Sequence, residues 1–374
     1  MRPIEFRCLV ALVVSLSCLA ATPAPAPAEE LKVTVLHTTD LHGSLAAWDD
    51  WNDRPAPKGL ERLATMIAAV RAEGHPTLLV DAGDALFGST LVRAWREGTR
   101  GDAEPVVRAL DSLRYDAVAI GNHEFDGGRA ALDSAVAHAS FKFLGANVLD
   151  AVTGSPAYGT SIVRDIDGAR VGIIGLTTPA VPMLMDSALY GGLSFVDPIE
   201  VARREVDRLR RTEGCLVVIA LVHMGLERDP AARGGDAKPR IGEIPSENLG
   251  YRLAYEVAGL DAVILGHTHQ VIASTPIGNT IVTQAGKHGE ALGRIDLSFT
   301  RSSSLSDWRL TTRSASVALV SDSVAIEPAM RELVAPYARA SRDLLDQVLS
   351  QAPTALAAPY GRFGDNPLLR LIHR

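Results

Sequence analysis

The chain has 374 residues, of which 47% are hydrophobic and 22% charged, with a formal net charge of −7. This is the composition of a folded globular protein with one large or two ordinary domains. The negative balance argues against a nucleic-acid polymer as partner, because phosphate backbones are held by clustered Lys and Arg. The densest basic run, Arg208–Arg211, falls on a predicted helix, where it reads as a solvated face.

Residues 1–28 have the pattern of a secretory signal peptide. Arg2 and Arg7 give a basic start, and Leu9–Ala21 is an apolar run too short to span a bilayer. Ala26-Pro27-Ala28 supplies the A-x-A spacing of a cleavage site, with a runner-up near Ala21. The expected location is therefore exported, periplasmic or extracellular, with no transmembrane helix in the mature chain. Cys18 fits a lipoprotein site poorly, since Ser15 stands where Leu is wanted. Cleavage would remove Cys8 and Cys18 and leave Cys215, so no intrachain disulfide is expected and the fold must rest on its core or on metals.

Ala24–Glu30 reads as a disordered Pro/Ala tether. Leu31–Leu36 alternates and is β-branched, which predicts the first strand. It runs into HTTDLHG, where Asp40 and His42 place a hard oxygen and an imidazole on one loop, a pair suited to a divalent metal. Ala46–Lys58 is an insertion whose Trp48 and Trp51 are either a ligand shelf or anchors that pin the loop. Helical spacing over Gly59–Glu73 ends at Gly74-His75-Pro76, with His75 expected at the surface. The strand Thr77–Val80 ends in Asp81-Ala82-Gly83-Asp84. Gly83 would let the backbone approach closely, which favours Asp84 as a ligand that bridges two metals.

A helix over Glu104–Leu113 carries Pro105 in its first turn. It leads to the strand Asp116–Ile120 and then to Gly121–Asp126, which reads GNHEFD. An amide, an imidazole and two carboxylates thus follow a buried strand, where open α/β sheets place ligands. Phe143–Val148 is a predicted strand, Ala151–Ala169 carries turns, and Arg170–Leu176 is another strand. A Pro/Met-rich loop, Thr177–Met185, follows. Asp197-Pro198-Ile199-Glu200 opens a helix that ends near Gly214. The apolar strand Leu216–Val222 ends in His223. Glu227–Glu243 is charged and loop-like, Ser246–Gly259 is helical, and the strand Asp261–Leu265 ends in Gly266-His267-Thr268-His269. Two imidazoles at alternate positions would face two different metals. Thr280–Gln284 is a strand followed by Ala285-Gly286, with His288 at the rim. Leu292–Phe299 and Trp308–Ser316 read as an antiparallel pair. Apolar spacing from Ile326 to Val348 predicts a connecting helix over 319–352, kinked at Pro336.

Each strand-end residue alone could be a turn or a satisfied core group. Five clusters after five apolar strands are not accidental. The order D-x-H, GD, GNHE, H, GHxH resembles the calcineurin-like metallophosphoesterases. The longer forms HTTDLHG and GNHEFDGG, with the later QAG, are similar to the 5′-nucleotidase and 2′,3′-cyclic-nucleotide phosphodiesterase family. The resemblance runs from about residue 31 to about residue 350.

It implies an α/β fold of four layers, an αββα sandwich of two mixed sheets flanked by helices, with a catalytic domain over 29–318. It also implies two divalent metal ions (Mn, Zn, Fe or Co). One would be held by Asp40, His42 and His269, the other by Asn122, His223 and His267, with Asp84 bridging. His123, oriented by Asp126, would face the phosphoryl group and the leaving oxygen. Two cations roughly 3.5–4 Å apart would acidify a bridging water for in-line attack on phosphorus. Ligand imidazoles must be neutral, so activity should fall at low pH. Family members usually carry a second, C-terminal domain that grips the nucleoside, and the tail 353–374, ending NPLLRLIHR, resembles its first helix. The expected function is cleavage of nucleotide phosphate esters. A sulfur-ester hydrolase on the same metals, or a non-catalytic metal-binding module, are the alternatives.

Overall fold

The computed structural model describes residues 28–98, 104–228, 244, 246–302 and 307–348. The expected leader, the tail 353–374 and most of the loop Glu227–Glu243 lie outside the described residues.

Apolar runs in this chain are short and β-branched, and they pair into two six-stranded sheets. In the first sheet the strand Glu29–Thr38 sits beside Thr77–Asp81 in parallel and beside Ala291–Arg301 in antiparallel register. Ala117–Ala119 and Lys142–Leu144 extend the parallel side, and Arg309–Leu319 closes the antiparallel edge. In the second sheet Ala169–Thr177, Val217–His223, Ala262–Leu265 and Thr280–Ala285 run parallel. Antiparallel strands Ser161–Ile166 and Val271–Ile277 form its two edges. Both sheets are mixed.

Three apolar clusters define the layers. Val33, Val35 and Val80 of the first sheet meet Val171, Ile173, Ile219 and Ile264 of the second. On the outer face of the first sheet, Leu36 and Leu79 pack on Leu63 and Ile67 of the helix Leu60–Arg71 and on Val334 of the helix Pro328–Leu345. On the outer face of the second, Ala220 and Val222 pack on Ile199, Val206 and Leu209 of the helix Pro198–Arg211 and on Leu253 of Gly250–Glu256. Because side chains alternate along a strand, central strands such as Val217–His223 and Ala262–Leu265 feed two cores and carry no polar residue before their ends. The result is the expected four-layer sandwich. Each fully buried Leu or Ile contributes roughly 1.5–3 kcal/mol.

Several elements differ from the expectations. Glu29 and Glu30 are not in a tether; they pair with Arg301 and Thr300, and Arg301 holds the Glu29 carboxylate at 2.7 Å. Phe143–Val148 is two strands, Lys142–Leu144 and Val148–Asp150, broken at Gly145–Asn147; the second pairs with Leu193–Phe195. Helices Thr90–Glu97 and Arg129–His138 were not foreseen, nor was the exposed edge strand Val271–Ile277. The loop Thr177–Met185 contains one helical turn, Val181–Leu184. The predicted connecting helix runs on through Pro336 and buries Met330, Val334 and Tyr337. Trp51 is 97% exposed and so anchors nothing. Cys215 is buried and unpaired, and burial raises its thiol pKa.

Candidate metal centre

The parallel strands of both sheets end on one side of the sandwich, so six loops meet there. Their residues stand in unusual backbone geometry. Asp40, His42, Asp84, His267 and His269 all have positive φ, between 48° and 70°, as does His288 at 53°. Left-handed backbone is costly for residues with a side chain and persists only where surrounding contacts over-determine it. Here those contacts are backbone bonds between loops. Asp40 N–H donates to the Gly83 carbonyl at 2.9 Å, His42 N–H to Asp84 at 2.8 Å, and His288 N–H to Asp40 at 2.8 Å. Gly83, at φ 98°, is needed as expected: a Cβ there would come within 2.7 Å of the His223 ring.

The side chains converge in three overlapping groups: Asp40, His42 and His269; His42, Asp84 and His123; Asp84, His223 and His267. Within each group the ligand-capable atoms lie within 4.8 Å of one another, and each group could hold a metal ion. Asp84 and His42 each belong to two of them.

Three of the ligand-type rings have one nitrogen committed to an outer partner. His223 Nδ1 pairs with the Ala82 carbonyl at 2.9 Å and His42 Nδ1 with the Phe87 carbonyl at 3.2 Å. His267 Nε2 pairs with the Glu247 carboxylate at 2.8 Å. Such outer partners fix the tautomer and leave the other nitrogen's lone pair for a metal. The freed atoms then crowd together. His42 Nε2 lies 3.0 Å from His269 Nε2. His223 Nε2 lies 2.9 Å from Asp84 Oδ2 yet makes no aligned hydrogen bond, and Asn122 Oδ1 is likewise buried without a partner among the described residues. Buried polar atoms are nearly always paired. Two buried atoms without an aligned partner beside a buried carboxylate, in a nitrogen and oxygen donor set, are what a divalent cation of the Mn, Fe, Co or Zn type would satisfy.

The electrostatics follow. Burial works to raise the Asp84 carboxyl, but the His223, His123 and His42 imidazoles outweigh it and hold Asp84 below the usual carboxylate range. Asp40, buried and near Asp84, is pushed up to about 7 despite the His223 charge. Burial lowers His42 and His267, and lowers His269 to about 4, which keeps these rings neutral and able to donate a lone pair.

His123 stands apart. Its Nδ1 pairs with Asp126 Oδ2 at 2.9 Å, and the two side chains are 41% and 32% exposed. The Asp126 hydrogen bond raises His123 to about 9, so the ring is cationic at neutral pH, and it is partly open to solvent. All nine residues singled out from the sequence are thus brought to this site.

Two neighbours of theirs were not assigned from the sequence. The Glu124 carboxylate accepts N–H groups from Asp84, Ala85, Leu86 and Gly121 at 2.6 to 3.1 Å, which shapes the loop that carries Asp84. Its place inside GNHE was the only available signal. Glu247 meets His267 across twenty residues of sequence, and no local pattern marks it. His288, expected at the rim, packs its ring 5.4 Å from that of His42.

The fold and this donor set are those of a metallophosphoesterase domain. The chain matches the calcineurin-like phosphoesterase family over residues 33–271 and belongs to it. It is 31% identical to the 2′,3′-cyclic-nucleotide 2′-phosphodiesterase/3′-nucleotidase of Yersinia enterocolitica, across 100% of this chain and 59% of that protein. It is 34% identical to the snake venom 5′-nucleotidase of Crotalus adamanteus, across 65% of this chain and 38% of that one. The crystal structure of the calcineurin-like phosphoesterase YfkN from Bacillus subtilis superposes with a TM-score of 0.74 at 25% identity, covering 85% of this chain and 100% of that chain. The chain spans roughly half the length of the curated relatives it matches. No helix among the described residues is long and apolar enough to cross a membrane.

Proposed function

We propose that this chain is the catalytic part of an exported, metal-dependent phosphoric ester hydrolase acting on nucleotides, either 5′-nucleotides or 2′,3′-cyclic nucleotides. The observation that carries the reading is the overlap of the donor groups at Asp84, with the orphaned Asn122 Oδ1 and His223 Nε2 beside it. Asp40, His42 and His269 would hold one cation, Asn122, His223 and His267 the other, and Asp84 would serve both. Bound there, the pair would supply an acidified water and positive charge for the phosphoryl oxygens.

The remaining work belongs to the chain. His123, cationic at neutral pH, would offset charge on the leaving oxygen and deliver a proton to it, with Asp126 fixing the ring. Glu247 and the Ala82 and Phe87 carbonyls orient the ligand rings. Glu124 holds the Asp84 loop in register. The names of the relatives favour nucleotide esters, and the signal-like residues 1–28 favour export. The proposed division is a catalytic unit over 29–318 followed by the helix Pro328–Leu345, which packs against that unit.

The test is phosphate release from AMP and from 2′,3′-cyclic AMP by the Mn-loaded chain. Turnover of either ester supports the reading, and the preferred one names the branch. Inactivity on both esters and on bis(p-nitrophenyl) phosphate, with activity on a thiosulfonate ester, would replace it.

A further inference from the structure

The turn after the strand Thr280–Ala285 takes left-handed backbone at three of its residues. Gly286 and Gly289 take it at φ 70° and 68°, where it costs little. His288 takes it at 53°, where a side chain makes it costly. The structure holds this residue from both sides. Its N–H donates to the Asp40 carbonyl at 2.8 Å, and its carbonyl accepts the Gly59 N–H at 3.0 Å. Gly289 packs so closely on Gly59 that a Cβ would come within 2.8 Å of the Gly59 nitrogen. A costly conformation kept by such contacts points to work for the side chain.

His288 borders one whole donor group. Its backbone meets Asp40, and its ring centroid lies 5.4 Å from that of His42 and 6.1 Å from that of His269. Yet it adds no ligand atom to that group. Its Nδ1 pairs with Ser44 Oγ at 3.1 Å, which fixes the half-buried ring. Its Nε2 has no hydrogen-bond partner among the described residues and is not closed off from water. His123, likewise no proposed ligand, stands 5.1 Å from the same His42 ring. An open ring nitrogen thus stands at the edge of the metal centre, and nothing in the reaction above uses it.

We propose that His288 is a second imidazole contact for the phosphoryl group: the Ser44 hydroxyl donates to Nδ1, and the Nε2–H so fixed donates to a non-bridging phosphoryl oxygen. The proposal rests on the phosphohydrolase reading and adds a donor to it. His123 meets the oxygen that leaves, and His288 holds one that stays on phosphorus. Ser44 is a positioning residue that acts through the ring. A hydrogen bond to a charged oxygen is among the stronger ones. A contact made only to the phosphoryl group ignores the rest of the ester, so it serves different esters alike.

The test compares the full chain with His288→Asn and His288→Gln, all loaded with Mn. Asparagine tolerates the same left-handed backbone and can keep the Ser44 contact, but it ends short of Nε2. Glutamine carries an amide N–H far enough to stand in for Nε2. Inorganic phosphate is titrated by calorimetry, with Mn counted on the same samples. Phosphate should bind roughly 10- to 100-fold more weakly to His288→Asn than to the parent, at unchanged Mn content, and His288→Gln should recover part of that loss. kcat/KM should fall by a similar factor on AMP and on bis(p-nitrophenyl) phosphate. Equal phosphate affinity in parent and His288→Asn, no phosphate binding by the parent, or loss of Mn from the variant would overturn the contact. So would an equal loss in the asparagine and glutamine variants, which would assign the effect to the turn. A parent that binds phosphate through His288 but cleaves neither ester would support the contact and remove the phosphohydrolase reading.

Discussion

His37 and His223 both stand at the C-terminal end of an apolar strand, and both are fully shielded from water. Their surroundings drive them in opposite directions. His37 lies between sheet neighbours, with Nε2 3.3 Å from the Thr283 hydroxyl and Nδ1 unpaired among the described residues. It fits only because residue 293 is glycine, where a Cβ would come within 2.0 Å of the ring. Burial alone lowers its pKa to about 3. Burial also works against a proton on His223, but the Asp84 carboxylate, helped by Asp40 and Glu124, outweighs it and pushes His223 up to about 10, so a cation bound here would take the place of that proton. The difference shows that a strand-end histidine becomes a candidate ligand through the carboxylate it meets, not through its position or its burial.

The largest effect that could break this comparison is removal of that carboxylate. Asp84→Ala should take phosphate release to background and leave less than one equivalent of Mn bound after dialysis, read by elemental analysis. A variant that still holds two equivalents would refute the shared role of Asp84. His123→Ala comes next. Its ring carries charge but is no proposed ligand, so kcat should drop about 10²- to 10⁴-fold while metal content stays at the parent value.

Glu247→Ala sharpens the contrast at the outer shell. Loss of the carboxylate that orients His267 should weaken metal affinity about 10- to 100-fold, measured by competition with a chelating dye. The smallest effect is on stability. His37 has a folded pKa below its unfolded value, so the unfolded chain takes up a proton first as pH falls. Stability should therefore fall from pH 6.5 toward 3, by about 1.4 kcal/mol per unit in the steep part of the window. Urea titrations of the parent and His37→Gln should diverge over that window and run parallel above it. Parallel behaviour throughout would contradict a neutral buried ring.

The strands and their polar ends were readable from sequence because the fold writes them locally. Each central strand must be apolar on both faces, so the first ligand-type residue after the run marks the loop where the sheet opens. Helix starts were readable where caps were strong, as at Asp197, whose carboxylate accepts the Ile199 N–H at 2.8 Å. The helix Thr90–Glu97 has such a signal too, since Ser89 caps Val92, but its apolar spacing covers barely two turns. The edge strand Val271–Ile277 is mostly exposed and has no clean alternation to read. Glu247 with His267 and Glu124 with the Asp84 loop are contacts between distant segments. They arise from packing, which no spacing within one segment encodes.

The most direct measurement is Mn stoichiometry and AMP turnover on the same preparation of the full chain, beside His123→Ala. Two equivalents of metal in both proteins are expected, with phosphate released by the parent and scarcely by the variant. One equivalent or none in the parent, or equal turnover in the two proteins, would contradict a dimetal centre worked by His123.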